Sequence, residues 1–296
     1  MKRKCWLAFL LLVTVVFCSC SANNEMPAVE GLDELGEVSV VSREDGSGTR
    51  AAFAQLAGFD EAEGDKSDST TDNAIIVEDA EEVIQAVGDD TAAIGYVSMG
   101  ALDELENEKT LSVNGVSATL ENVKSGDYEL SRPFLLVWSG SLSELEQDFL
   151  TYTLGKGQAI VENLYVPVSE SCTFLSGQYE GTITIHGSTS AAPLLEELAE
   201  EYMSINTHAK VVIEASDSTT GINDAMQGSC DFGMASRELE SYEEELLEKK
   251  TIAKDGIAVI VNKKNPLDSV TIEELNELFT GAISDWSGIN LNRGDS

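Results

Sequence analysis

Four times along this chain an apolar run gives way to a small polar turn of Ser, Thr or Gly, in three of them followed by a helix-forming run, and this recurrence constrains the fold more than any other feature. The first instance runs Val38-Ser39-Val40-Val41, then Ser42-Arg43-Glu44-Asp45-Gly46-Ser47-Gly48-Thr49-Arg50, then Ala51-Ala52-Phe53-Ala54-Gln55-Leu56. The second runs Thr182-Ile183-Thr184-Ile185, then Gly187-Ser188-Thr189-Ser190, then a helix opening at Ala191-Ala192-Pro193, where Pro in the first turn lacks only an N–H that would have no partner anyway. The third follows residues 210–215 with Ser216-Asp217-Ser218-Thr219-Thr220-Gly221 and a short helix to Gly228; the fourth is Asp231-Phe232-Gly233-Met234-Ala235 leading to Ser236-Arg237.

Strand, small polar turn, helix is α/β construction. It aims the free N–H groups of a helix's first turn, and the partial positive charge of that helix end, at one spot. Such a turn is a ready anion site, and Arg43 adds a planar, permanently charged fork. Each turn alone reads equally as an ordinary helix cap. Open α/β sheets take ligands at the carboxyl ends of their strands, so four such turns point to one shared crevice; four unrelated caps is the competing reading.

The intervening chain supplies the scaffold. Helices are expected over 81–87, 142–154 and 158–164, and strands over 92–97, 134–138, 182–185 and 256–261, the last with no polar interruption and therefore central. Val113-Asn114-Gly115-Val116 predicts a hairpin, because Asn-Gly supplies the left-handed turn positions. Thr271-Ile272-Glu273-Glu274 is a capping box for a helix to Phe279, with Gly281 just past its end. Residues 60–72 read as a solvated acidic loop, and 169–180 as the best internal linker.

Charge narrows the partners. Against 18 Lys and Arg stand 53 Asp and Glu, a formal net charge of −35, which argues against a nucleic acid or anionic lipid held by a basic patch. An anion site in such a protein has to work through local dipoles and hydrogen bonds. Only His186 and His208 are present, and no Cys/His cluster, so zinc chemistry and a Ser-His-Asp triad lack parts. Cys172 and Cys230 either pair or remain buried thiols. At the start, Lys2-Arg3-Lys4 precedes an apolar run over 6–17, too short for the ~20 residues a spanning helix needs. It reads as a signal peptide. Ser19-Cys20 resembles a bacterial lipobox, with Cys20 the lipid-modified first mature residue; Phe17 and Cys18 depart from the usual residues before it. Residues 1–20 are thus expected as signal peptide and lipobox, and 21–36 as a tether.

Several segments carry a resemblance to a known family. They are Gly187-Ser188-Thr189-Ser190-Ala191-Ala192-Pro193, Asp231-Phe232-Gly233-Met234-Ala235-Ser236-Arg237-Glu238, Ile252-Ala253-Lys254-Asp255-Gly256-Ile257-Ala258-Val259, and Leu278-Phe279-Thr280-Gly281 with Trp286. With the turn at 42–50, Ala93-Ile94-Gly95-Tyr96-Val97 and Gly157-Gln158-Ala159-Ile160-Val161, they resemble the periplasmic phosphate-binding proteins of ABC importers across nearly all of 37–290. The resemblance implies an α/β, two-lobed periplasmic-binding-protein fold of type II that closes on its anion. In that family the Gly-Ser-Thr-Ser segment comes first; here 37–168 precedes 181–290. The chain therefore reads as a circular permutant, the rival being a piece of a tandem pair of binding domains. Mapped onto the chain, one lobe is 37–132 with 264–296 and the other is 133–263, joined by crossing strands at 133–137 and 256–261.

The resemblance assigns phosphate to Arg43, Ser47, Gly48 (through its backbone) and Thr49 of one lobe, and to Thr189, Ser190, Ser218 and Ser236 of the other. It implies no metal, no cofactor and no catalysis, a permease of an ABC transporter as partner, and an extracytoplasmic location on a lipid anchor at Cys20. One departure stands out. Some members place an Asp after the Ala-Ser of the Phe-Gly segment, accepting the proton of hydrogen phosphate, whereas here Arg237 and Glu238 follow Ser236. Either Glu238 takes that role or selectivity arises otherwise. The rival functions are a binder of another oxyanion, a remnant that no longer closes and serves as a surface sensor, and a phosphate-handling enzyme, for which no Gly-x-x-x-x-Gly-Lys-Ser/Thr motif is present.

Overall fold

The computed structural model describes residues 28–60 and 67–293; the leader, the lipobox at Cys20 and part of the acidic loop lie outside the described residues. The first half of the chain forms β1 (Ser39–Arg43), α1 (Gly48–Ala57), β2 (Ile75–Val77), α2 (Ala80–Asp89), β3 (Ala93–Ser98), β4 (Glu108–Thr110), β5 (Ser112–Val113), α3 (Leu120–Ser125), β6 (Ser131–Trp138), α4 (Glu144–Leu154), α5 (Gln158–Leu164) and β7 (Val166–Pro167). The second half adds β8 (Gly181–Ser188), α6 (Ala192–Ile205), β9 (Ala209–Ser216), α7 (Ser218–Gln227), β10 (Phe232–Ala235), α8 (Ser241–Glu244), β11 (Glu248–Asn262), β12 (Ser269–Val270), α9 (Ile272–Thr280) and α10 (Ser287–Arg293).

One ten-stranded sheet follows the path β2-β1-β3-β11-β6-β10-β8-β9, with β4 and β7 also paired to β11. Within each half the pairing is parallel: β1 with β2 and β3, and β8 with β9 and β10. The long strand β11 joins the halves, running antiparallel to β6 through residues 248–256 and to β3 through 257–261. Residues 255–262 are all buried, and the apolar run 256–261 within them anticipates a strand covered on both faces.

Each half-sheet is coated by helices on both faces. In one half Phe53, Tyr96, Phe279 and Trp286 pack on one face, while Val41, Val83, Val87 and Ile260 pack on the other. In the other half Phe149, Tyr152, Tyr202 and Phe232 form the larger cluster, and Leu135, Val137, Ile222 and Ala225 the smaller. The molecule is a two-lobed α/β protein. Among the described residues no helix is long and apolar enough to cross a membrane.

The chain departs from its expected elements at several places, each with a local cause. The helix expected from Leu142 begins at Glu144, because Ser143 closes a capping box: its Oγ accepts from the Glu146 N–H at 3.3 Å and the Glu146 carboxylate accepts from the Ser143 N–H at 2.7 Å. At Asn114-Gly115 the turn forms with φ of 50° and 78° and Val113 and Val116 exchange both backbone hydrogen bonds at 2.8 Å. No longer hairpin follows, since β5 pairs in parallel with β12 instead. The strand expected at 256–261 starts at Glu248; the polar run Glu248-Lys249-Lys250-Thr251 hides a segment whose backbone pairs with β6. Cys172 is exposed and Cys230 buried, and both are free thiols.

Candidate functional site

The carboxyl ends of β1, β8, β9 and β10 meet where the lobes face each other. From the first lobe, Arg43 ends β1, the turn reverses through Gly46 at φ 90°, and Ser47 caps α1 by accepting the Arg50 N–H at 3.4 Å. Tyr96 of β3 holds this turn from below: its hydroxyl meets Ser42 Oγ at 2.8 Å and accepts the Arg43 N–H at 3.3 Å. The Tyr96 ring stacks on Phe53 with centroids 4.2 Å apart, and its burial pushes the phenol up to about 12, so it stays a neutral hydrogen-bonding group. Arg50 fastens the other side. Its guanidinium donates to Asp68 at 2.7 and 3.0 Å and to the Arg43 carbonyl at 3.0 Å.

From the second lobe come the first residues of two helices and the end of a strand. Ser218 opens α7 after Asp217, whose carboxylate caps the helix by accepting from the Thr220 N–H and hydroxyl at 2.8 and 2.6 Å. The Ser236 N–H donates to Ser218 Oγ at 3.0 Å, and Ser188 Oγ donates to Ser236 Oγ at 2.9 Å. Gly221 lets α7 sit directly on the strands, since a Cβ there would stand 2.4 Å from the His186 carbonyl oxygen. α6 opens as expected, with Pro193 in its first turn. Ala191 is its N-cap and makes no side-chain cap, so the Ser190 hydroxyl is available to the crevice.

Across the crevice the lobes touch through the residues that the turns supply. Arg43 Nη2 donates to Thr189 Oγ1 at 3.1 Å, and Thr49 and Ser190 hydroxyls are 2.7 Å apart. The Thr219 N–H and hydroxyl both donate to the Gly46 carbonyl at 3.2 Å. A Cβ on Gly48 would stand 2.1 Å from Ser218 Oγ and 2.6 Å from Ser236 Oγ, so only glycine permits this approach. Arg43, Ser47, Thr49, Ser218 and Ser236 are all buried. The amino ends of α1, α6 and α7 open at this crevice, each contributing a partial positive charge of about half a unit. An open concavity of about 340 Å³ lies between α1 and the segment after β10, lined by Ala51, Gln55, Arg237 and Glu240; another, of about 500 Å³, is lined by Gln147, Asp148, Phe174 and Tyr179 of the second lobe.

Acidic groups near the crevice are already engaged. Glu44 takes two hydrogen bonds from the Arg43 guanidinium at 3.0 Å; burial, which outweighs the attraction of Arg43, raises its carboxyl above the ordinary range. Arg43 Nη2 also donates to the Glu78 carbonyl. Arg237 turns to Glu243, with contacts of 2.7 and 2.9 Å, and Glu238 faces Lys249 at 3.1 Å. Glu238 is therefore not placed to accept a proton from an anion beside Ser236.

The eight residues put forward from the sequence thus gather at one place. Tyr96, Ser188 and Thr219 join them, although little in the sequence marks them out as contributors. Ser188 and Thr219 lie inside turns already singled out, but which hydroxyl of a turn faces the crevice is decided by helix seating. Tyr96 carries a weak signal, the one polar group in the apolar run 93–97.

A family model of the PBP superfamily domain matches residues 29–156 and 175–295. Phosphate-binding protein PstS 2 of Streptococcus agalactiae serotype V is 41% identical over 261 residues, covering 86% of this chain and 88% of that protein. The crystal structure of a phosphate ABC transporter, phosphate-binding protein from Streptococcus pneumoniae TIGR4 is 39% identical, with a TM-score of 0.72 over 86% of this chain and 100% of that one. Phosphate-binding protein PstS of Staphylococcus saprophyticus is 32% identical over 123 residues, only 39% of either chain.

Proposed function

The chain belongs to the PBP superfamily, among its phosphate-binding proteins, and from that premise we propose that it captures inorganic phosphate between its lobes and delivers it to an ABC importer. The observation that carries this reading is the convergence of Arg43 and Thr49 from one lobe with Thr189, Ser190, Ser218 and Ser236 from the other. A dehydrated oxyanion needs every oxygen satisfied, and neutral hydroxyls, N–H groups and helix ends supply that in a strongly acidic protein. Because both lobes hold the anion, it binds the closed form more tightly and so drives closure. The protein does no chemistry on its ligand. It acts outside the cytoplasm, held at the membrane by a lipid on Cys20, with permease subunits as its partners.

Two facts support reading the chain as a circular permutant with lobes at 37–132 plus 264–296 and at 133–263. Residues 36–38 and 284–286 are neighbours: the Val38 N–H donates to the Ser284 carbonyl and the Trp286 N–H to the Gly36 carbonyl, both at 2.9 Å. The Staphylococcus saprophyticus relative aligns over a length close to one of the two segments, as a relative with the opposite order would.

Calorimetry of the mature protein with phosphate tests the function. Saturable heat is expected, reduced about ten- to a hundredfold in affinity by Arg43→Ala, since a hydrogen bond to a charged group is worth about 1.5–3 kcal/mol. With Glu238 turned away and Glu44 engaged, sulfate is expected to compete. No phosphate heat in the parent protein would sink the reading.

A further inference from the structure

Behind the crevice, where the chain passes between the lobes, lies an ion pair that the anion site does not use. Arg132 stands on β6 and Asp255 on β11, paired in register, with side chains 1% and 0% exposed. Arg132 Nε and Nη2 donate to Asp255 Oδ2 at 3.0 and 2.9 Å, and the guanidinium lies over the Phe134 ring, 5.4 Å from its centroid. Burial pulls the Arg132 guanidinium below its ordinary range, with Asp255 opposing that and the charge of Arg43 adding to it. Burial likewise pushes the Asp255 carboxyl up, against the attraction of Arg132. Two desolvated charges at one point of the fold are an expensive way to fill space, because well-packed apolar residues are often no less stable.

Their remaining hydrogen bonds say what the pair does. Arg132 Nη1 donates to the Ser236 carbonyl at 3.2 Å, at the turn where the second lobe presents Ser236 to the crevice. Asp255 Oδ1 accepts from Ser98 Oγ at 3.0 Å and from the Met99 N–H at 3.2 Å, at the turn that ends β3 of the first lobe. β3 is also the strand that carries Tyr96 beneath Arg43. We propose that Arg132 and Asp255 are positioning residues that tie the Ser236 turn of one lobe to the Ser98-Met99 turn of the other and so set the register in which the two halves of the anion site meet. The proposal rests on the phosphate reading for its affinity consequence alone; its structural content stands on the hydrogen bonds.

Removing one partner strands a buried charge and risks unfolding, so two other changes make the test. Arg132→Lys keeps the charge, but a single ammonium cannot reproduce the two-pronged grip on Asp255 together with the Ser236 contact. The double variant Arg132→Met with Asp255→Val replaces the pair by apolar side chains close to it in total volume. Each is followed by thermal melting, by phosphate calorimetry, and by amide hydrogen exchange of the free protein at Met99 and Ser236. Melting within a few degrees of the parent is expected, together with at least tenfold weaker phosphate binding and faster exchange at both amides. A folded variant with parental affinity and parental exchange would overturn the proposal. If the parent itself gives no phosphate heat, the phosphate reading fails, and the exchange at Met99 and Ser236 still decides the positioning role.

Discussion

At the scale of single residues, Gly48 shows how little room the closed crevice leaves. Its missing Cβ is what allows Ser218 and Ser236 of the facing lobe to approach the start of α1. Gly48→Ala puts a methyl group into the closed form only, where overpacking costs about 1–3 kcal/mol. Phosphate affinity is expected to fall by about five- to a hundredfold while the melting temperature of the ligand-free protein barely moves, a contrast that calorimetry and circular dichroism read together. Asp68 makes the complementary case, a residue that holds the site's frame. Burial alone would raise its carboxyl, but the pairing with Arg50 and the hydrogen bonds at Thr70 together hold it below its ordinary value of 3.8. Its contribution to stability is therefore present above that value and is lost as pH falls through the lower folded-state value. The melting-temperature gap between the parent and Asp68→Asn should be widest near neutrality and close below pH 3.8; a gap independent of pH would contradict this assignment. The sequence displays Arg43 and Gly48 plainly inside a Gly/Ser/Thr turn. It does not display Asp68, which lies in an acidic stretch where nothing distinguishes the one carboxylate that turns inward.

At the scale of elements, short-range chemistry sets where helices begin and end. Ser143, Thr119, Asp79, Asp217 and Thr271 each cap a helix through a side chain, and Gly58, Gly228 and Gly281 end helices in the left-handed conformation. α9 adds a tertiary use of a capping residue. Glu274 closes the box with the Thr271 N–H at 2.8 Å, and the same carboxylate receives the Arg293 guanidinium of α10 at 2.6 and 2.9 Å. Thr271→Ala should therefore cost about 1 kcal/mol in denaturant unfolding, the ordinary worth of a cap. Glu274→Ala should cost more, about 3–5 kcal/mol, because it strands a buried Arg293. Equal losses would mean that the α9–α10 pair contributes nothing beyond the cap. The capping box is legible from four residues. Its link to Arg293 is not, since that partner is recruited by the docking of α10.

At the scale of the whole molecule, one strand carries the architecture. β11 belongs to both halves of the sheet, and together with β6 it forms the passage between lobes where Arg132 and Asp255 sit. The order in which the remaining units occur along the chain matters less than this passage, provided the ends that are rejoined lie close together. Residues 36–38 and 284–286 do lie side by side, and 169–180 spans the other joint. A rearranged chain that starts at residue 181, continues through a short linker from the end of α10 to Val29, and stops at residue 168 should fold, melt within a few degrees of the parent and bind phosphate with similar affinity. A rearranged chain that folds without binding would show that the 169–180 connection shapes the crevice, against the permutation reading. The two-lobed α/β fold was readable because each lobe repeats the same local device, strand then polar turn then helix. The first part of β11 was not, because a polar strand in a sheet is held by its neighbour's backbone and leaves little trace in its own side chains.

What the sequence determined by itself is therefore local and chemical: which turns carry donors, where helices are capped, which strands are apolar enough to be central. These follow from contacts within a few residues, and no partner element is needed to decide them. The tertiary structure alone decided the pairings across distance. It set Thr189 against Arg43, placed Ser236 beside Ser218, turned Glu238 toward Lys249, and buried Arg132 with Asp255 between the lobes. Each of these depends on how β11 and β6 seat one lobe against the other, a geometry set by the packing of the whole sheet that no stretch of chain carries on its own.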